Sequence, residues 1–533
     1  MSQIKTRQFT DIRHALLNKE ELALIDVREE APFAKNHPLF AVNISLSRLE
    51  LEIYARVPRL STPITVYDDG EGRAEIAVER LIRLGYQDVA LLEGGLAGWR
   101  NAGGELFEDV NVPSKSFGEL VESIRQTPFL TANQVKTLID QQADIVVLDA
   151  RRFDEYQTMN IPGSISVPGA ELVLRARELA PNPHTQIIVN CAGRTRSIIG
   201  AQSLLNAGIP NPVAALQNGT IGWTLAGLTL QHQQNRTFNP VKDTTKYEAS
   251  QQANHIANQA GVGKISLQTL DQWQNDPTRT TYVFDVRTAE EYEHAHLPHA
   301  RHVAGGQLVQ ETDHYASVRG ARIVLIDDDG VRANMSASWL RQMGWDAYII
   351  DNITVDHFTE SGPWKAPLPL QNSTQEISPI TLHEWLLHDT ATTRLSTIVL
   401  DFTSSANYVK QHIPSAWFTL RGDLPQILKI LPPAERYVLT CGSGLLARLA
   451  VSELQALTDK PVYLLTGGTQ AWVAAGLPLE SGETLLASPR IDRYRRPYEG
   501  TDNPIEAMQG YLDWEYGLVE QLKRDGTHGF FVL

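Results

Sequence analysis

The sequence is poor in the residues that build several common architectures. It holds two cysteines in 533 residues, Cys191 and Cys441. They lie far apart in sequence and form neither a disulfide framework nor a metal-binding spacing, which leaves no expected metal site. No stretch approaches the ~18 consecutive apolar residues of a membrane span. The opening MSQIKTRQFTDIRHALL carries polar and charged residues where a signal peptide would need an apolar block. These features predict a cytoplasmic protein with no membrane partner. Positive charge is also in deficit, with 47 Lys and Arg against 62 Asp and Glu and a formal net charge of −15. That balance argues against nucleic acid as a general partner. The chain is too long for one core and should divide into roughly three to five domains.

What the sequence does contain is a repeat. A β-branched strand ending in an acid occurs four times, as ALIDVR, VVLDAR, YVFDVR and IVLDFT. A second apolar strand then runs into a polar turn, as ITVYDD, IIVNCA, IVLIDD and YVLTCG. A third strand precedes a small or polar pair, in VALLEGGLAGW, VAALQNGTIGW, AYIIDNITVDH and VYLLTGGTQAW. The distance from strand acid to turn is 42 residues for Asp26–Asp68, Asp149–Cys191 and Asp285–Asp327, and 40 for Asp401–Cys441. Short buried-type strands alternate with amphipathic stretches such as 74–85 and 196–208, which predicts parallel α/β sheets with helices on both faces. The units span 6–108, 128–230, 262–363 and 376–482. Polar segments at 109–128, 232–262 and 366–377 read as linkers, and the middle one divides the chain into two halves.

The turn NCAGRTRS is where chemistry is expected. A strand delivers Cys191 to its carboxyl end, where ligands bind in open α/β sheets. A helix predicted from about Arg196 or Ser197 would turn the amides of Ala192, Gly193, Arg194, Thr195, Arg196 and Ser197 toward the sulfur. Converging amides and the helix dipole favour a thiolate. Arg194 and Arg196 add two cations, and both are expected within a few ångströms of the sulfur.

This strand–CAGRTRS–helix turn, preceded by D-A-R and by NIPGS at 160–164 and followed by GW…AG, resembles the rhodanese domain. The resemblance implies a fold class of four tandem rhodanese-like α/β domains plus a C-terminal helical extension. It also implies a sulfurtransferase, in which a cysteine takes the outer sulfur of a small donor, becomes a persulfide and passes the sulfur to a thiol or a cyanide-like acceptor without any cofactor. Cys441, in TCGSGLLARLA, resembles the CGSG loop of mercaptopyruvate-type enzymes, with Gly442, Ser443 and Gly444 as its binding residues. The VTA that usually follows that loop is replaced by Leu445, Leu446 and Ala447. A persulfide carrier fed by a partner protein is an alternative reading. A cysteine phosphatase is a further one, disfavoured because four residues rather than five separate Cys191 from Arg196.

Asp68 and Asp327 replace the cysteine in the first and third units and should repel an anionic donor. The order inactive, active, inactive, active matches two-domain sulfurtransferases, so the chain reads as two such enzymes fused head to tail, each silent domain packing on the active domain that follows it. Arg28, Arg151 and Arg287 are expected to pair with neighbouring loops, and Trp99, Trp223 and Trp472 to pack. The four histidines of HAHLPHARH at 294–302 read as solvated. Residues 483–533 belong to no repeat. A helix from about Pro504 to Lys523, with Ala507, Tyr511, Trp514 and Leu518 on one face, would dock on another domain or on a second subunit, leaving room for a homo-oligomer.

Overall fold

A computed structural model describes residues 4–369, 374–392 and 396–533. It contains four five-stranded sheets, one in each repeat. In the second unit the order across the sheet is Phe129–Leu130, Val213–Leu216, Gln186–Asn190, Ile145–Asp149 and Ile165–Ser166, with every pairing parallel. The central strand Gln186–Asn190 is buried almost throughout, as expected where helices cover both faces of a sheet. Helix Arg73–Arg83 buries Ala74, Ala77, Val78, Arg80 and Leu81, and it shows how a 3.6-residue period covers one sheet face. Among the described residues, no helix is long and apolar enough to cross a membrane.

The four strand acids are fully buried, and those of the first three units are neutralised locally. Arg28, Arg151 and Arg287 turn back on Asp26, Asp149 and Asp285, two residues earlier, at 2.6, 2.8 and 2.7 Å. Each guanidinium also donates to a loop carbonyl eight residues on: Asn36, Met159 or Ala295. The three tryptophans are buried, and each indole N–H donates to a carbonyl six residues later.

Two of the polar segments are more than linkers. Residues 109–128 contain helix Val112–Arg125, with Pro113 in its first turn, and 232–262 contain helix Asp243–Ala260. Polar composition misleads here because tertiary partners satisfy the polar groups: buried Lys115 pairs with Asp109 at 2.6 Å. Of segment 366–377, residues 370–373 lie outside the described residues. The histidine run is also not uniformly solvated, since His296 is buried and stacked on the Tyr292 ring.

The pairing of silent and cysteine-bearing units departs from the head-to-tail expectation. Unit one docks on unit four: Arg421 binds Glu50, Arg73 binds Asp423 at 2.6 Å, and Arg80 binds Glu453 at 2.9 Å. Unit three docks on unit two: Arg332 reaches Glu171 at 2.9 Å, and Gly306 lies against Gly169. Arg73 and Arg332 stand five residues after Asp68 and Asp327, the position Arg196 occupies after Cys191. In the silent loops this arginine is a clamp on the acid of a partner unit. Units one and three also meet, where the Tyr282 hydroxyl donates to the Arg56 carbonyl at 2.5 Å.

Candidate active site at Cys191

Strand Gln186–Asn190 ends immediately before Cys191, and helix Thr195–Asn206 begins four residues later. The carbonyl of Cys191 accepts the N–H of Thr220 at 3.0 Å, and a Cβ at Gly219 would stand 2.3 Å from that oxygen. The same holds for Gly468 against the Cys441 carbonyl, at 2.1 Å. In the first, second and fourth units the glycine of the pair is therefore required because the turn's carbonyl fills the space.

The silent loops reveal what the turn is built to hold. The Asp68 carboxylate accepts the N–H groups of Gly70, Arg73 and Ala74 at 3.0, 2.7 and 3.0 Å. Asp327 accepts those of Gly330 and Ala333 at 3.2 and 2.8 Å. The backbone N–H groups of Gly444, Leu446 and Ala447 favour the thiolate of Cys441, and that of Ser197 favours the thiolate of Cys191. In the first and third units the turn amides hold an aspartate carboxyl, and in the second and fourth the same position carries sulfur.

Cys191 is 2% exposed and its Sγ lies 3.4 Å from the Ser197 Oγ. Burial pushes the thiol up from its ordinary range; the Arg196 cation and both bonds to Ser197 oppose that, and the Glu515 carboxyl adds to it. Arg196 binds Glu155 through both terminal nitrogens, at 2.7 and 2.8 Å, and the pair holds Glu155 down at about 2. Arg194 faces elsewhere. Its guanidinium is buried, paired with Glu119 at 2.7 Å and with Glu122, and lies 4.1 Å over the Tyr516 ring. Of the two arginines, only Arg196 is among the groups acting most strongly on the thiol. Buried Ala192, Gly193 and Thr195 complete the turn.

A cleft of about 390 Å³ reaches Arg196, and Arg151, Arg152, Arg493, Arg496 and Tyr498 also line it. Asp154, Glu155, Glu311 and Glu499 share the lining, so the wall is mixed in charge. Arg493, Arg496 and Tyr498 come from the last segment of the chain, whose helix Ile505–Asp525 packs on Val112–Arg125 and against the Cys191 turn. Met508, Tyr511, Leu512, Glu515, Leu518, Leu522 and Asp525 are its buried positions, whereas Ala507 is exposed. Glu515 and Tyr511 thus belong to the surroundings of Cys191. The legible signal for them was an acid on the apolar stripe of an otherwise amphipathic helix.

Cys441 has a different setting. It is 5% exposed, and burial raises its thiol while the loop amides oppose the rise. Unit four has Thr403 where the others have arginine, so buried Asp401 lacks that partner and is pushed up to about 7. Gly442 lies near Thr403, Gly444 takes a left-handed φ of 86° at the helix entry, and Ser443 is exposed.

Comparison with known proteins places these features. The family model for the rhodanese-like domain matches at residues 11–102, 131–226, 266–352 and 382–475. A crystal structure of a thiosulfate sulfurtransferase from Pseudomonas aeruginosa is 68% identical, with a TM-score of 0.97, covering 99% of this chain and 100% of that one. The putative sulfur carrier protein YrkF of Bacillus subtilis is 27% identical over 103 residues, 19% of this chain and 54% of the relative. An uncharacterized protein of Synechocystis sp. is 28% identical over 123 residues, 23% of this chain and 63% of its own length. The chain thus spans roughly half to two thirds of these curated relatives.

Proposed function

The chain belongs to the rhodanese family, and on that premise we propose that it is a sulfurtransferase working through a persulfide on Cys191. The observation that carries this reading is a buried thiol at a strand-to-helix turn, beside the Ser197 hydroxyl and N–H and the Arg196 cation. The Cys191 thiolate attacks the outer sulfur of thiosulfate. The new Sγ–S bond forms as the S–SO₃ bond breaks, and the electron pair leaves on sulfite. The persulfide, an anion one sulfur longer, then stays on the amides that in the silent units hold aspartate. A thiol or cyanide acceptor removes the outer sulfur and regenerates Cys191.

The silent units serve as walls and clamps, with unit three closing on unit two. Cys441 has the amide cradle, but Leu446 stands where the second unit has Arg196, so it is assigned a minor part with an anionic donor. Incubation with thiosulfate and then cyanide tests the reading. Catalytic thiocyanate formation, with one sulfur atom of added mass on Cys191 before cyanide, is the expected result. One stoichiometric transfer would instead make the protein a sulfur carrier.

A further inference from the structure

The C-terminal helix places an acid against the Cys191 turn that none of the steps above uses. Glu515 is fully buried, 50 positions beyond the last repeat strand, Val462–Leu465. Its Oε1 accepts the Tyr511 hydroxyl at 2.8 Å. Its Oε2 has no hydrogen-bond partner among the described residues. That oxygen points at the turn: a Cβ built on Gly193 would stand 3.3 Å from it and 3.1 Å from the Tyr511 ring. A buried carboxyl oxygen without a partner is costly, and native structures retain few of them. Here it borders the loop on which the donor must lie.

We propose that Glu515 is the acid–base residue of the thiosulfate half-reaction at Cys191, which rests on the sulfurtransferase reading above. The Cys191 thiol, which rests on the Ser197 hydroxyl at 3.4 Å in the free chain, gives its proton to the Glu515 carboxylate when the donor occupies the turn. The resulting thiolate attacks the outer sulfur of thiosulfate, forming the Sγ–S bond and expelling sulfite with the electron pair of the broken S–S bond. Glu515 then gives the same proton to a sulfite oxygen, so that thiol and thiosulfate become persulfide anion and hydrogen sulfite. Charge is conserved, no other reactant is needed, and Glu515 ends as it began.

The surroundings suit a proton carrier. Burial and the neighbouring Glu119 push Glu515 up to about 8, opposed by Lys115, the Tyr511 hydroxyl and Arg194. Lys115 and Glu119 come from helix Val112–Arg125, Arg194 from the turn, and Tyr511 from the helix of Glu515 itself. The Glu515 carboxyl also raises the Cys191 thiol. Both groups are raised, so the form holding one proton between them, the reactive one, lies on the alkaline side of neutrality.

The test is a single-turnover sulfite burst from the full chain with thiosulfate, measured across pH 6 to 10. The parent protein should give a bell, since the pair must hold one proton. Glu515→Gln should lose the falling alkaline limb, leaving one rising sigmoid for Cys191 alone, and should run roughly a hundredfold slower at neutral pH. Tyr511→Phe, which removes a donor to the carboxylate, should move the rising limb to higher pH. A Glu515→Gln variant with the parent rate and bell would overturn the proposal. If that variant failed to fold by circular dichroism, an unmoved limb in Tyr511→Phe would overturn it instead. A parent protein with no burst at all would sink the sulfurtransferase reading, a separate failure.

Discussion

Replacing Arg196 and Arg194 by methionine, one at a time, separates two roles that look alike in the string GRTRS. Arg196 is among the groups that most lower the Cys191 thiol, whereas Arg194 is bound by Glu119 and Glu122. A charge-assisted contact is worth about 1.5–3 kcal/mol. Arg196→Met should therefore slow the sulfite burst roughly ten- to a hundredfold and shift ionisation of the thiol to higher pH. Iodoacetamide alkylation of Cys191 against pH, in a Cys441→Ser background, reads that shift directly. Arg194→Met should leave the alkylation profile near that of the parent. It removes the cation from a buried pair, however, and should cost about 3–5 kcal/mol of stability, visible as a lower Tm. Glu155→Gln in the Arg196→Met background is the control for an acid left unpaired. If Arg194→Met moved the thiol as far as Arg196→Met, or if Arg196→Met left it unmoved, the assignment of the thiolate-stabilising charge would be wrong.

Cys191→Ser should abolish persulfide formation from thiosulfate, seen by intact mass, and Cys441→Ser should keep most of the steady-state rate; the reverse pattern would move the donor site to unit four. Asp68→Ala leaves the amides of Gly70, Arg73 and Ala74 without their anion and should destabilise the protein by about 1–3 kcal/mol, measured by urea unfolding. Asp68→Cys should give little or no transfer, because Arg73 is already engaged by Asp423 and Glu29; turnover comparable to Cys191 would refute that. The Glu155–Arg196 pair holds Glu155 at about 2, below its ordinary range near 4.5, so its stabilisation is present above pH ~4.5 and fades as pH falls toward 2. Glu155→Gln should flatten that part of the acid-unfolding curve.

The repeat was legible in the sequence because a parallel α/β unit writes its geometry locally. Strands buried on both faces need β-branched runs, and the strand acid must lie a fixed distance from the turn because both end the same edge of one sheet. The cysteine turn was legible for the same reason: strand, turn and helix entry are contiguous, so Cys191 and its amides needed no distant partner to be recognised. Local reading also placed Trp99, Trp223 and Trp472, whose burial is decided within their own units.

What the sequence could not decide is everything that depends on which surfaces meet. Arg194 and Arg196 are equivalent as letters, and only the packing of helix Val112–Arg125 gives Arg194 its acids and leaves Arg196 to the thiol. Asp68 looks repulsive until the amides around it are seen to be satisfied by it. The pairing of unit one with four and three with two rests on Arg73, Arg332 and Arg421 reaching acids far along the chain. The C-terminal helix announces its apolar stripe, but its docking over Cys191 is a long-range contact. Glu515 gains its significance only from that burial, because desolvation is a property of the assembled structure and not of the residue.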